Sequence, residues 1–305
     1  MPQGSVLGPQ LFILYVNDIC NVSNILDLIM FADDTNLFGT GDNIECLSKI
    51  VSSELSKINR WFAVNRLSLN VSKTNYMVFS SKFIAAQDIF VHIDNKKIER
   101  VHKTKFLGVI VDEKLNWKEQ IAVVKSKLCR TIGIIKKIQF KLEERSLLQL
   151  YYALFYPYLN YCLEIWGNAC KSHVKCLYIL QKKIIRIIGK KNHLEQTNGL
   201  FHKFKIIKFF DLVELKTCVI MYKASKNMLP KNLLVLFDLK KNIYYNTRNK
   251  NNFLQKDCRT NLKSRCISVI GIKSYNSLND EIKTCNTIKN FINKFKISKV
   301  LSYCS

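Results

Sequence analysis

The sequence predicts an α+β protein in which short strands and helices over residues 1–112 give way to a mostly helical chain. Three observations carry this expectation. Polar pairs break short apolar runs at Asp33-Asp34 and Asp94-Asn95, the pattern of strands that reverse in hairpins. From Trp117 onward, apolar residues recur every three or four positions, the period of amphipathic helices. A hydrophobic content of 48% over 305 residues is ample for a packed core and suggests two or three domains.

The first element is a loop. Pro2-Gln3-Gly4-Ser5-Val6-Leu7-Gly8-Pro9 is too rich in glycine and proline for a regular element, and Ser5 is a candidate cap for a helix over the apolar residues 11–16. Gly4 and Gly8 let the backbone approach a ligand closely. Such a loop suits a nucleotide cradle and equally an ordinary helix start.

Residues 28–32, Leu-Ile-Met-Phe-Ala, read as a buried strand, and Leu37-Phe38 before Gly39 as the strand returning. Asp33 and Asp34 then sit where the two strands reverse. Asp-Asp-Thr is also a common turn sequence, because short polar side chains bond nearby amides. Adjacent carboxylates at a hairpin tip, however, suit a pair of divalent ions, and in-line phosphoryl transfer uses such ions at its attacking and leaving oxygens.

Asp42 or Asn43 starts the next predicted helix, whose apolar positions Ile44, Leu47, Ile50, Val51, Leu55, Ile58 and Phe62 form a core-facing stripe. Residues 67–79 read as a strand approach around Lys73, with Tyr76, Met77, Val78 and Phe79 buried. Residues 89–93, 97–99 and 105–111 read as short strands. The expected result is an antiparallel sheet with helices.

Four segments in this order, Pro2-Gln3-Gly4-Ser5-Val6-Leu7-Gly8-Pro9, Phe31-Ala32-Asp33-Asp34-Thr35, Leu69-Asn70-Val71-Ser72-Lys73-Thr74 and Phe106-Leu107-Gly108-Val109, resemble successive motifs of reverse transcriptases from non-LTR retrotransposons of the jockey type. The resemblance is close over the first 112 residues and looser through Leu180-Gln181-Lys182-Lys183 and Tyr245-Asn246-Thr247-Arg248. It implies an RNA-directed DNA polymerase that extends a DNA primer on an RNA template, using deoxynucleotides and Mg²⁺. It also implies a partial polymerase palm over residues 1–112, a helical thumb over 113–195, and a basic C-terminal region over 196–305.

Carried over residue by residue, the resemblance makes Asp33 the main metal ligand and Asp34 the second. Phe31 stands beside the primer end, and Gln3, Gly4 and Ser5 border the incoming nucleotide and template. Lys73 protonates or neutralises the departing pyrophosphate, a role suited to an ammonium near developing negative charge. Phe106, Leu107 and Gly108 form the primer grip. The family takes a further metal-binding aspartate from a strand before the glycine loop, whereas Met1 lies inside that loop's motif. Neither Asp18 nor Asp27 replaces it by motif position. The expectation is a truncated portion that does not polymerise unaided; the alternative is a non-catalytic, basic, nucleic-acid-binding remnant of a retrotransposon. A group II intron maturase shares the palm plan and fits the loop and tail segments less well.

Charge points to the same class of partner. Residues 1–40 hold four aspartates and no lysine or arginine, so all 48 basic residues follow an acidic start, and the net charge is +25. An acidic metal-binding segment followed by basic surfaces suits tracking along a phosphate backbone. A predicted helix over residues 117–138 puts Ile121, Val124, Leu128, Ile132 and Ile135 on one side and six basic residues elsewhere. Residues 172–188 repeat the pattern, with Gly189 as the stop. The aromatic-rich stretch 151–166 is expected mainly to pack between helices.

Residues 209–226 form one more predicted helix, Pro230 breaks the chain, and residues 238–252 are rich in lysine and asparagine. Eleven cysteines without a CxxC pair support neither a zinc site nor a disulfide framework. With no signal peptide and no uncharged run of membrane-spanning length, the expected location is cytoplasmic or nuclear.

Overall fold

The computed structural model describes residues 4–80, 89–237, 252–255 and 257–304. Gln3, Tyr245-Asn246-Thr247-Arg248 and nearly all of the Lys/Asn-rich stretch lie outside them. The chain divides into two compact units: Met1–Lys105 with Asp112–Leu115, and Phe106–Val111 with Asn116–Ser305.

The first unit mixes helix and strand. Helix α1 (Gly8–Val16) has Pro9 in its first turn, where the missing N–H costs nothing, and runs into a 3₁₀ turn over Asn17–Asn21. Strands β1 (Asp27–Phe31) and β2 (Asp34–Phe38) pair antiparallel as predicted. Helix α2 (Ile44–Val64) starts at Asn43, whose Oδ1 accepts hydrogen bonds from the Glu45 and Cys46 amides at 2.8 and 3.2 Å. After a 3₁₀ turn at Val71–Lys73 come β3 (Asn75–Tyr76), β4 (His92–Ile93), β5 (Lys96–Lys97), β6 (Glu99–Arg100), β7 (Lys103–Phe106) and β8 (Val109–Asp112).

These strands do not make the single antiparallel sheet that was expected. Among the described residues they form four two-stranded ladders: β1-β2, β4-β5 and β7-β8, and a parallel β3-β6 pair. The reason is length and polarity. Two-residue strands such as Lys96–Lys97 and Glu99–Arg100 bury too little side chain to hold further neighbours. Leu55 of α2 packs with Ile89, Val91, Ile93 and Ile98 into a small core bordered by Leu37, Val51, Tyr76 and Val78. Phe79, expected inside, is exposed.

The second unit is helical: α3 (Lys118–Ile138), α4 (Glu144–Leu150), a π turn at Tyr151–Phe155, α5 (Tyr156–Asn160), α6 (Leu163–Trp166), α7 (Lys171–Ile188), α8 (Asn198–Lys203), α9 (Phe209–Ser225), α10 (Lys231–Leu234), α11 (Asn261–Ser264), α12 (Ile267–Asn276), α13 (Asp280–Lys283) and α14 (Ile288–Leu301). One apolar core joins α3 to α14 and takes in Val109 from β8. The stripe predicted for α3 is buried as drawn, and α7 buries Val174, Leu177, Ile184, Ile185 and Ile188.

Gln181 of α7 is fully buried and satisfied. Its Nε2 donates to Tyr151 Oη at 3.2 Å and to the Ile207 carbonyl at 2.9 Å, and its Oε1 accepts from the Phe209 amide at 2.8 Å. The start of α9 is thereby pinned to α7 through a side chain that replaces helix bonds the first turn lacks. Asn276 of α12 likewise holds the backbone of buried Phe253, accepting from its amide at 3.0 Å and donating to its carbonyl at 2.9 Å. The aromatic-rich stretch divides: Tyr151, Phe155 and Trp166 are core, whereas Tyr152, Tyr158 and Tyr161 are exposed.

Candidate functional site

The β1-β2 register fixes the local geometry of the carboxylates. Phe31 pairs with Asp34, so Ala32 and Asp33 are the two turn residues. Ala32 takes φ = 53°, a left-handed conformation that costs an alanine about 1 kcal/mol and holds the tight reversal. Directly paired residues share a face, so Phe31 and Ile29 lie with Asp34 and Asn36 on one side, and Leu28 and Met30 with Leu37 and Thr35 on the other.

The second face is half-buried. On the first face Ile29 is 52% and Phe31 60% exposed, and both aspartates are exposed. The expected pair of buried strands is therefore a hairpin with one half-buried side and an open one. Gly39, at the end of β2, passes so close to α2 and Leu26 that a Cβ there would lie 3.0 Å from a Leu26 methyl.

Asp33 and Asp34 present hard oxygen donors of the type Mg²⁺ takes. Among the described residues, no group of three or more Asp, Glu, His or Cys side chains is placed to hold an ion. Asp18 accepts from Trp61 Nε1 at 3.4 Å. Asp27 pairs with Phe38 at the far end of the hairpin, roughly 13 Å along the strand from the Phe31-Asp34 pair. The donor set thus fits the metal in kind and stops at two carboxylates. Asn36, on the Asp34 face, has a buried Nδ2 with no hydrogen-bond partner among the described residues.

The other predicted residues are distributed around this unit. Gly4 takes φ = +90°, a conformation that favours glycine, with no described atom within 4 Å of where a Cβ would be. Ser5 does not cap α1: Leu7 is the cap residue, and Ser5 contributes its carbonyl, which accepts from the Gly8 amide at 3.3 Å. Proline at the start of α1 supplies the preorganised φ that makes a side-chain cap dispensable. Lys73 is exposed at the end of a 3₁₀ turn knit by Asn70, whose Oδ1 accepts from Ser72 Oγ at 2.7 Å and whose carbonyl accepts from Thr74 Oγ1 at 3.0 Å. Among the described residues no ion pair joins Lys73 to Asp33 or Asp34.

Phe106, Leu107 and Gly108 close the β7-β8 hairpin, with Leu107 at φ = 45° and Gly108 at φ = 84°. The hairpin's base is fastened by His102 Nδ1 against Glu113 Oε2 at 2.8 Å and by the Glu113 amide donating to the His102 carbonyl at 3.1 Å. The hydrogen bond from His102, with the nearby positive charges, holds the Glu113 carboxyl below its usual range. Sequence reasoning missed two residues at this turn, Tyr161 and Gln120. Gln120 interrupts an otherwise apolar stripe, the one local signal that it bonds inside the unit.

Residues 1–111 match the family model described as reverse transcriptase (RNA-dependent DNA polymerase). This part of the chain is similar to reverse transcriptases. The reverse transcriptase match takes in Asp33, Asp34, Lys73 and the turn at Leu107-Gly108 together.

Similarity to named polymerases continues into the helical unit. The chain is 25% identical over 218 residues to the probable RNA-directed DNA polymerase from transposon X-element of Drosophila melanogaster, covering 69% of this chain and 24% of that one. To the RNA-directed DNA polymerase from mobile element jockey of the same fly it is 24% identical over 245 residues, covering 76% and 26%. A Pol polyprotein from a type-1 retrotransposable element R1 of Nasonia vitripennis is 22% identical over 180 residues, covering 56% and 44%. The chain spans about a quarter of the length of the first two relatives. No solved structure matches it. Among the described residues no helix is long and apolar enough to cross a membrane.

Proposed function

We propose that this chain is part of the RNA-directed DNA polymerase of a non-LTR mobile element and carries two of the carboxylates at its catalytic centre. The observation that carries the reading is the Asp33-Asp34 pair at the tip of an open hairpin, with Phe31 beside Asp34 on the exposed face, inside a reverse transcriptase match.

In this reading Asp33 and Asp34 hold Mg²⁺, with a further ligand from outside the described residues. The bound ions neutralise charge developing on the attacking and leaving oxygens. Phe31 offers a flat apolar surface to the last primer base. Gln3, Gly4 and Ser5 border the nucleotide and template, where Gly4, with no described atom within 4 Å of its Cβ position, leaves room for phosphate and sugar. Lys73 meets the departing pyrophosphate with a positive charge. Residues 1–112 then act as a partial palm, 113–195 as a thumb and 196–305 as a basic C-terminal region.

The test is primer extension by the purified chain on an RNA template with a DNA primer, deoxynucleotides and Mg²⁺, alongside Asp33→Asn. The expected result is no incorporation by the chain alone, and metal-dependent incorporation that Asp33→Asn abolishes once a segment carrying the further metal ligand is joined to it. Salt-sensitive duplex binding with no incorporation even by the joined protein would instead assign the chain a purely binding role.

A further inference from the structure

The turn that closes β7-β8 breaks a local rule. Positive φ at both Leu107 and Gly108 is the geometry of a two-residue turn that favours Asn-Gly, and a leucine there costs about 1 kcal/mol. A strained residue persists where its surroundings over-determine it, and such positions gather at functional sites.

The surroundings are specific. Tyr161 Oη donates to the Leu107 carbonyl at 2.5 Å. Its ring covers Gly108 so closely that a Cβ there would lie 3.4 Å from Cε1. Tyr161 is in turn held from behind, its carbonyl accepting from Nε1 of the fully buried Trp166 at 3.0 Å and its amide donating to the Pro157 carbonyl at 3.0 Å. The next strand is fastened to the same unit by the Ile110 amide, which donates to buried Gln120 Oε1 at 2.9 Å, and by Val109 in the main core. Residues 106–111 accordingly group with the helical unit, while the strand leading to them groups with the first unit.

We propose that Tyr161 is a positioning residue of the polymerase: it holds the Leu107-Gly108 turn in the strained conformation in which that turn contacts the primer strand. This rests on the reading of Phe106, Leu107 and Gly108 as the primer grip. The conformation of the grip is thereby set by the helical unit and not by the hairpin's own sequence preference. Tyr161 is 52% exposed, so its hydroxyl contributes little to the core, and its role is separable from folding.

The test uses the 305-residue chain and Tyr161→Phe, which keeps the ring over Gly108 and removes only the donor. Two quantities are read: hydrogen exchange of the Leu107 to Ile110 amides, and binding of a DNA primer with a recessed 3′ end on RNA. Leu107→Glu serves as the control for the grip itself. A net hydrogen bond of ordinary strength predicts exchange about fivefold faster and primer-template binding weaker by a similar factor, with the thermal midpoint lowered by no more than about 2–4 °C.

Unchanged exchange in Tyr161→Phe would overturn the proposal outright. Faster exchange with undiminished binding, while Leu107→Glu binds weakly, would overturn it and leave the grip reading intact. If neither variant changes binding, the grip reading falls and the proposal with it.

Discussion

Replacing Gln181 by leucine removes a polar hub without leaving a cavity, which makes the cost calculable. Three groups lose their partner: the Phe209 amide, the Ile207 carbonyl and the Tyr151 hydroxyl. Tyr151 is fully enclosed, and burial pushes its phenol far above the usual range, so it stays a neutral group in need of a hydrogen bond. A buried donor or acceptor left unmade costs about 1–3 kcal/mol. The Phe209 amide bears the full cost because it opens α9 with no intrahelical alternative; the carbonyl and the rotatable hydroxyl bear less. The expected loss for Gln181→Leu is therefore about 3–5 kcal/mol, a large part of the ~5–15 kcal/mol that holds a typical domain.

Urea unfolding followed by far-UV circular dichroism measures this loss. The midpoint should fall with the slope unchanged. Tyr151→Phe alone should cost about 1 kcal/mol, and much less in the Gln181→Leu background, because the two side chains share a bond. A loss below about 1 kcal/mol for Gln181→Leu, or full additivity with Tyr151→Phe, would refute the idea that this network pins α9 to α7.

Other outcomes follow from single features. Burial pushes the Cys218 thiol up to about 12, above its unfolded value near 9.0, so its contribution to stability is complete below that value and is lost as pH rises toward 12. Melting curves taken from neutral into alkaline pH should fall less steeply for Cys218→Ala than for the parent. Asn43→Ala removes the acceptor for two amides at the start of α2 and should cost about 1 kcal/mol by chemical denaturation of the first unit. Duplex binding by a chain of net charge +25 should weaken linearly in log–log with added salt, and a flat salt profile would contradict a phosphate-tracking surface. In the chain joined to a segment carrying the further metal ligand, Lys73→Ala should slow metal-dependent incorporation more than Lys73→Arg, read from single-turnover extension.

The candidate site was legible where chemistry is carried by adjacent residues. Local pattern located Asp33-Asp34 at a hairpin tip, whereas Lys73 and Leu107-Gly108 were marked only by the family resemblance: residues 67–79 and 105–111 read as strands, and the 3₁₀ turn at Val71–Lys73 and the turn at Leu107-Gly108 interrupt them. The burial of β1 was overread. A continuous apolar run looks the same whether one face or both are covered, and here the register leaves Ile29 and Phe31 on the open face. The single sheet was overread for a related reason, because strand-like segments do not say which partner they find; β3 pairs with β6 in parallel. Ser5 was misplaced as a cap because composition marks a helix start without telling which of two devices, a hydroxyl or a proline, supplies it.

By itself the sequence determined the periodicities: the buried stripe of α3, the apolar side of α7 ending at Gly189, the two hairpins with polar tips, and an acidic start followed by a basic remainder. Each is a property of neighbours in the chain, where bond geometry and side-chain spacing leave few alternatives. The tertiary structure alone decided which residues far apart in sequence share a bond. It placed Tyr161 against Leu107, gave Gln181 its three partners, clamped Phe253 with Asn276 and assigned the tip of the β7-β8 hairpin to the helical unit. Such pairings depend on which helices pack together. That choice comes from the shape of a whole apolar core, and no short stretch of sequence encodes it.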